Sequence, residues 1–338
     1  MSIRPEDIQR VKGQGFLNNK GTDCFNARIL TTNGNLSTEQ VRAIAEAADR
    51  YGCGRVQFTS RMTVELPGIP YDKIPEFQAF LGEHGLYTGG TGPKVRPVVS
   101  CKGTTCQYGL YDTFGLSEKI HERFYLGYHG VKLPHKFKIA TGGCPNNCVK
   151  PDLNDLGIIG QRIKEIDLEK CRGCGKCRIA EGCPMKAATV VDGKIVINES
   201  ICNNCGRCAG KCLFDAFGPG KPAWKVCIGG RWGKKVGQGT PLGKLFTSEE
   251  EVLSVVEKTT AVNQRVEDIA DASQRQYEAM SQISAGVEQI SGVVQTNSAT
   301  SEESAAASEE LNAQAHTLKE QVGRFKLEDD ARSAAAIW

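Results

Sequence analysis

The chain has 338 residues, with 15 cysteines, 42 Lys+Arg against 39 Asp+Glu, and 40% hydrophobic residues. That length suits two or three domains of ~100–200 residues each, and no apolar run reaches the ~18–20 residues of a membrane span. The N-terminal MSIRPEDIQR lacks the apolar stretch of a secretory signal, so a reducing, cytoplasmic setting is expected, where cysteines are read as metal ligands before disulfides. The net charge of +3 hides a division. Residues 246–338 hold 7 basic and 17 acidic residues, leaving a balance of +13 for 1–245. All cysteines lie at or before Cys227, and the last proline is Pro241. A basic, cysteine-rich part therefore precedes an acidic, Ala/Ser/Glu/Gln-rich one.

Residues 25–68 read strand, helix, strand. FNARILTT alternates and is β-prone. In LSTEQVRAIAEAADRYG, Ser37 caps and Gln40 stands at the capping-box position. Val41, Ile44, Ala45 and Ala48 recur at helical spacing, and Gly52 supplies a stop. RVQFTSRMTVELPGI reads as the returning strand, with Val56, Phe58, Val64 and Leu66 apolar, and IPEFQAFLGEHGL as a second amphipathic helix. This α+β half-domain implies no chemistry by itself. Cys24 and Cys53 are isolated and read as plain thiols.

Cys101 and Cys106, in VVSCKGTTCQYG, and Cys144 and Cys148, in TGGCPNNCVKPDLNDLG, make two close pairs about forty residues apart. Glycine- and proline-rich loops around four thiolates suit an iron–sulfur cluster. Zinc stays open, although zinc pairs favour tighter spacing. These motifs, with KFKIATGGCPNNC, resemble the signature of the sirohaem/iron–sulfur sulfite and nitrite reductase family. The resemblance implies that both pairs bind one [4Fe–4S] cluster and that Cys148 also bridges to the sirohaem iron. One departure is visible: four residues, not the family's usual five, separate Cys101 from Cys106. The family also places two arginines and two lysines over the open haem face. Arg61 in FTSRMTVELPGI, Arg96 in KVRPVVSC, and Lys136 and Lys138 in LPHKFKIA match those motifs. Fixed cations suit a small oxyanion that must also take up protons. In a strand the two lysines share a face, which otherwise would be a solvated surface. His135 lies in the same motif with an open role.

Cys171, Cys174 and Cys177, followed by Cys183-Pro184, are repeated as Cys202, Cys205 and Cys208, followed by Cys212. Two near-copies of this spacing resemble a two-cluster ferredoxin, in which the fourth cysteine of each run serves the other cluster. Cys171, Cys174, Cys177 and Cys212 then hold one [4Fe–4S], and Cys202, Cys205, Cys208 and Cys183 the second. A zinc ribbon would leave the third cysteine of each run unexplained. AATVVDGKIVINES between the runs reads as a hairpin turning at Asp192-Gly193. PAWKVCIGGRWGKK reads as strand and glycine turn, and SEEEVLSVVEKT as a helix capped by Ser248 with Glu251 in the box position. Cys227 fits no cluster.

From 259 to 327 apolar or small residues alternate at spacings of 4 and 3: Val262, Val266, Ile269 and Ser273, then Met280, Ile283, Val287, Ile290 and Val294, and later Leu311, Ala315, Leu318, Val322 and Phe325. This is a coiled-coil strand that needs a partner. VEQISGVVQTNSATSEESAAASEELNAQAHTLKEQVGRFKL resembles the descending helix of methyl-accepting chemotaxis receptors, which would make Glu302 and Glu303 methylation sites. Without the receptor's ascending helix and kinase-contacting tip, an oligomerising or fused helix is favoured over signalling.

The expected fold is therefore α+β: a ferredoxin-like half-domain at 1–95, a sirohaem/[4Fe–4S] reductase domain at 96–165 and 220–258 with a ferredoxin module inserted at 166–219, then the coiled-coil helix at 259–327 and a tail at 328–338. The expected activity is six-electron reduction of sulfite, or of nitrite, with sirohaem and three [4Fe–4S] clusters. Electrons would come from a ferredoxin or flavoprotein subunit, with no nucleic-acid partner and homo-oligomers through the tail. The alternatives are a non-catalytic iron–sulfur electron carrier and a redox-linked signalling protein.

Overall fold

The computed structural model describes residues 3–128, 130–131, 133 and 135–324, without the side chains at 263, 264 and 267. Phe325 and the 328–338 tail lie outside them. Helix α1 (Pro5–Lys12) precedes a four-stranded antiparallel sheet in the order β1 (Phe16–Asn18), β2 (Cys24–Ile29), β4 (Val64–Pro70), β3 (Gln57–Phe58). Helices α2 (Thr38–Tyr51) and α3 (Ile74–Glu83) pack on it. The β2 burial alternates as its sequence does, with Phe25, Ala27 and Ile29 fully buried. They meet Phe16, Leu66, Phe77 and Leu81 in one core. Truncating a buried aromatic such as Phe77 to alanine costs ~3–5 kcal/mol.

The capping box of α2 is formed in both directions, Gln40 N–H to Ser37 Oγ at 3.1 Å and Ser37 N–H to Gln40 Oε1 at 3.0 Å. Of the four residues at helical spacing, Ile44 and Ala48 are buried and the other two are not. Ala43, Ile44, Ala47, Ala48 and Tyr51 face the sheet, whereas Val41 is 51% exposed and Ala45 is also exposed. Small residues at 43 and 47 let the helix approach closely, and that fixes its phase. The expected continuous strand over 55–69 is also broken. The Thr59 and Thr63 hydroxyls bond to each other at 2.7 Å, Arg61 N–H donates to Thr59 Oγ1, and Met62 takes φ 57°. Such side-chain-to-backbone bonds favour a turn over a ladder, so Arg61 sits on a hairpin tip and Phe58 is exposed.

The second sheet has the order β11 (Thr240–Phe246), β10 (Lys221–Ile228), β7 (Leu156–Ile163), β6 (Ile139–Gly142), β5 (Val99–Ser100). β5, β6 and β7 run parallel, and β7, β10 and β11 antiparallel. Helix α4 (Thr113–Ile120), capped by the Asp112 carboxylate, covers the sheet together with the start of α6 (Glu249–Gly323). Ser248 caps α6, receiving the Glu251 N–H at 3.2 Å.

β7 and β10 pair over eight residues, from Leu156↔Ile228 to Ile163↔Lys221. A further bridge, Ile166↔Phe217, extends the pairing. Residues 167–216 therefore leave and re-enter the sheet through one two-stranded neck. Within that excursion lie α5 (Arg178–Glu181) and the hairpin β8 (Ala188–Val191) and β9 (Lys194–Ile197). Asp192 and Gly193, at φ 48° and 71°, make the expected turn. A small core of Ile179, Ala188, Ile195, Ala216 and Phe217 has cysteines packed around it.

The chain divides into two compact units, residues 1–267 and 268–338. The second, over its described part, is a single helix whose apolar side chains are exposed.

Candidate functional site

Two cysteine pairs converge because they follow neighbouring parallel strands. Ser100 pairs with Thr141. Cys101 and Cys106 follow β5, and Cys144 and Cys148 follow β6, at the carboxyl ends of both. Their loops approach through glycine. A Cβ on Gly103 would stand 2.9 Å from Gly143 Cα and 2.5 Å from Thr113 Cγ2, so the backbones fit only without side chains. Gly143 N–H donates to Cys101 Sγ at 3.0 Å. Burial pushes the Cys101 and Cys144 thiols up, and the neighbouring thiols, Cys106 and Cys148 among them, push both further. A coordinated metal would reverse that by binding the thiolates.

A group of cations stands at the opposite end of β6. Arg61 reaches from its hairpin to three other segments: Nη1 donates to Asn154 Oδ1 at 3.0 Å, and Nη2 to Pro97 O at 2.9 Å and Ile139 O at 3.4 Å. Burial, then the Arg96 charge, lowers its pKa to about 10. Arg96 donates to Gly90 O. Burial, then Arg28, lowers it too. The Nε of Arg61 and of Arg96 are buried and lack a partner among the described residues. Two uncompensated buried donors in a positive field fit an anionic group.

Lys136 and Lys138 flank Phe137, which faces the core. They are just outside β6 rather than within it. They still share a side, as alternate positions of extended chain do. Burial lowers the Lys138 pKa, and Lys136, Arg61 and Arg96 lower it further, while Asp155 raises it. The Lys138 backbone N–H donates to Asp155 Oδ2 at 2.8 Å. Burial raises the Asp155 pKa. His135 is exposed beside them.

Sequence reading missed Arg28 and Asp155. Arg28 is opposite Glu65 in the β2–β4 register and is ion-paired to it, Nε to Oε1 at 2.8 Å. Its position on the non-core face of an alternating strand was visible; its nearness to Arg96, through a shared bond to Gly90 O, needed the fold.

In the 167–216 excursion, Cys183, Cys202, Cys205 and Cys208 line one cavity. Cys171, Cys177 and Cys212 pack on the same small core, with Cys174 half-buried in the same loop. Cys205 and Cys144 line one groove, and Cys202 and Asn147 an adjacent one. Among the described residues, no three His, Cys, Asp or Glu side chains are close enough to hold a single metal ion. Thiolates around a cluster are spread over a metal–sulfide core instead. Cys227 is buried in β10, Cys24 half-buried, and Cys53 exposed.

Comparison with known proteins defines the class. The family model for the nitrite and sulphite reductase 4Fe-4S domain matches residues 91–295, and that for the nitrite/sulfite reductase ferredoxin-like half domain matches 18–84. The chain belongs to the nitrite and sulfite reductase family. It is 34% identical over 225 residues to the coenzyme F420-dependent sulfite reductase of Methanocaldococcus jannaschii, covering 66% of this chain but 35% of that protein. It therefore spans about a third of that relative. It is 31% identical to an anaerobic sulfite reductase subunit of Salmonella typhimurium, covering 73% of this chain and 75% of that one. The fold resembles the crystal structure of dissimilatory sulfite reductase I, with a TM-score of 0.55 at 22% identity, covering 69% of this chain and 61% of that one. The 91–295 match extends into the stretch that sequence reading assigned to the tail.

Proposed function

We propose that this chain is a sirohaem- and iron–sulfur-dependent reductase of sulfite, with nitrite as the second substrate. Cys101, Cys106, Cys144 and Cys148 would hold one [4Fe–4S] cluster, with Cys148 linking it to the haem iron. The two cysteine runs of 166–219, read as an inserted ferredoxin module, would hold two more in the exchanged pattern. Sirohaem, when bound, supplies the iron site at which substrate sulfur or nitrogen is held and reduced.

The residues of the chain do the rest. Sulfite takes six electrons and seven protons to leave hydrosulfide and three waters. Arg61 and Arg96, fixed by bonds to carbonyl and amide oxygens, orient the oxyanion and offset its charge. Their donors are pre-set, so little reorganisation accompanies the reaction. Lys136 and Lys138 hold protons beside the oxygens that leave. A lowered Lys138 pKa makes its ammonium a readier donor. The observation that carries this reading is the pair of buried, partnerless arginine Nε atoms, brought from two other segments against the stretch that leads through β6 into Cys144: Arg61 Nη2 donates to Ile139 O at 3.4 Å and the Arg96 backbone N–H to Phe137 O at 2.8 Å.

Electrons would enter from a ferredoxin or flavoprotein subunit through the cysteine-rich excursion. Among the described residues no helix is long and apolar enough to cross a membrane. The helix beyond residue 261 would pair with a second copy as a coiled coil.

The test is anaerobic purification followed by visible spectroscopy and steady-state assay with both substrates. Sirohaem absorption with stoichiometric sulfide from sulfite is expected. Iron without a tetrapyrrole, or zinc in place of iron, overturns the assignment.

A further inference from the structure

Lys164 stands just past β7, at the root of the excursion, and its side chain is only 11% exposed. Its ammonium makes three contacts: Cys202 Sγ at 3.3 Å, Asn204 Oδ1 at 2.8 Å and Glu199 Oε2 at 2.9 Å. A lysine in such a place, with a thiol among its acceptors, is neither a solvated surface charge nor an ordinary ion pair. Its carboxylate partner is 67% exposed, so solvent screens Glu199 far more than it screens the ammonium.

The other cysteine run is treated differently. Cys171 Sγ receives a backbone donor, Ile195 N–H at 3.4 Å. Of the lysines beside it, Lys194 spends its ammonium on the carbonyl oxygens of Leu168 and Cys171, each at 2.8 Å, and Lys170 pairs with Asp167 at 3.2 Å. Cys183 Sγ likewise receives an amide, from Ala187 at 3.3 Å. Among the described residues only Cys202 receives a charged side-chain donor on sulfur. The run that holds it also faces the first cysteine set, through the grooves that Cys205 shares with Cys144 and Cys202 shares with Asn147.

We propose that Lys164 is a potential-setting residue: its ammonium on Cys202 Sγ raises the reduction potential of the cluster held by Cys183, Cys202, Cys205 and Cys208 above that of the cluster held by Cys171, Cys174, Cys177 and Cys212. Adding an electron makes a cluster more negative. A fixed cation and an N–H donor on a ligand sulfur therefore stabilise the reduced form more than the oxidised one. The cluster adjoining the Cys144 loop becomes the better acceptor, and electrons arriving at the outer cluster run toward the reductase site. Lys164 is a positioning and tuning residue, not a ligand. The inference rests on the three-cluster reading above.

Redox titration followed by electron paramagnetic resonance tests it on the full anaerobic chain, with iron and acid-labile sulfide counted for each variant. Lys164→Met is expected to lower one cluster midpoint by a tenfold change in its reduction equilibrium or more, which is 59 mV for a one-electron couple. The other midpoints stay in place, and Lys164→Arg recovers most of the shift. Glu199→Gln, at an exposed site, removes the opposing charge and is expected to move the same midpoint upward by a smaller amount. It carries the test should the Met variant lose iron. Midpoints unchanged in all variants, or displaced equally for every cluster, overturn the role of Lys164 and leave the reductase reading intact. A wild-type chain without cubane iron overturns both.

Discussion

Lys138 is the cleanest probe of the cationic group. Among the described residues its Nζ makes one long contact, 3.4 Å to Trp232 O, whereas Arg61 ties several segments together and cannot be removed without loosening them. Lys138→Ala is expected to lower turnover ~10²–10⁴-fold, the usual contribution of a positioned proton donor, with sirohaem and iron retained. The pH dependence follows from burial. The folded pKa lies below the ordinary 10.5, so the protonated form, present at lower pH, is lost before an exposed lysine would lose it. The alkaline limb of kcat/KM should fall below that value in the wild type, and Lys138→Arg should displace it upward. A limb that Lys138→Arg leaves in place would assign it elsewhere. Cys227 makes the complementary case. It is 2% exposed in the core of β10, so Cys227→Ser buries a hydroxyl without a partner, at a cost of ~1–3 kcal/mol. Thermal unfolding should record that loss while iron content stays constant. Residue types and spacing were enough to nominate these side chains. Spacing could not reveal Arg28, Asp155 or Lys164, whose roles depend on which strands lie side by side.

At the scale of elements, the approach of the two cysteine loops depends on a glycine pair. Gly103→Ala would drive a methyl group against Gly143 Cα and the Thr113 side chain, at 2.9 and 2.5 Å. The Thr113 hydroxyl is itself bonded to Cys101 O at 2.8 Å. Something must shift, and the loops that carry Cys101 and Cys144 are the mobile parties, since β5 and β6 are held by their ladder. The variant is expected to lose about four of about twelve irons per chain on the three-cluster reading, with the features of the other two clusters unchanged; full iron content would show that the loops need no such contact. The legibility of elements divides along the same line. The α2 capping box and the Asp192-Gly193 hairpin were readable because their signals lie within a few residues. The hairpin tip at Arg61 was read as strand because four apolar residues fit an alternating pattern that the Thr59 and Thr63 hydroxyls interrupt. Val41 fell at helical spacing with Ile44 and Ala48 yet is exposed, because apolar spacing gives a period, while the sheet beneath fixes the phase.

For the whole molecule, the open matter is where the reductase ends and the acidic helix begins. Helix α6 runs unbroken for 75 residues, about 110 Å at 1.5 Å per residue, so secondary structure marks no boundary. Burial does. Val252, Leu253 and Val256 belong to the reductase core, and Thr260 is 1% exposed, with its hydroxyl on Val256 O at 2.8 Å. That burial continues two residues past the boundary expected at 258. From Val262 onward the apolar positions, among them Ile269, Met280, Ile283, Val287 and Ile290, are each more than half exposed in the single chain. A stripe of that length has no stabilising burial until another helix covers it. A chain ended after Ala261 should keep its cofactor spectrum and its turnover with sulfite, and light scattering should show a smaller assembly than the full chain forms. An unchanged mass would sink the coiled-coil reading. Loss of clusters or sirohaem on truncation would instead join the helix to the reductase, in line with the family match that continues to residue 295. Charge adds a further expectation: the acidic helix follows a basic enzyme, so removing it raises the net charge of the chain and should strengthen retention on a cation exchanger.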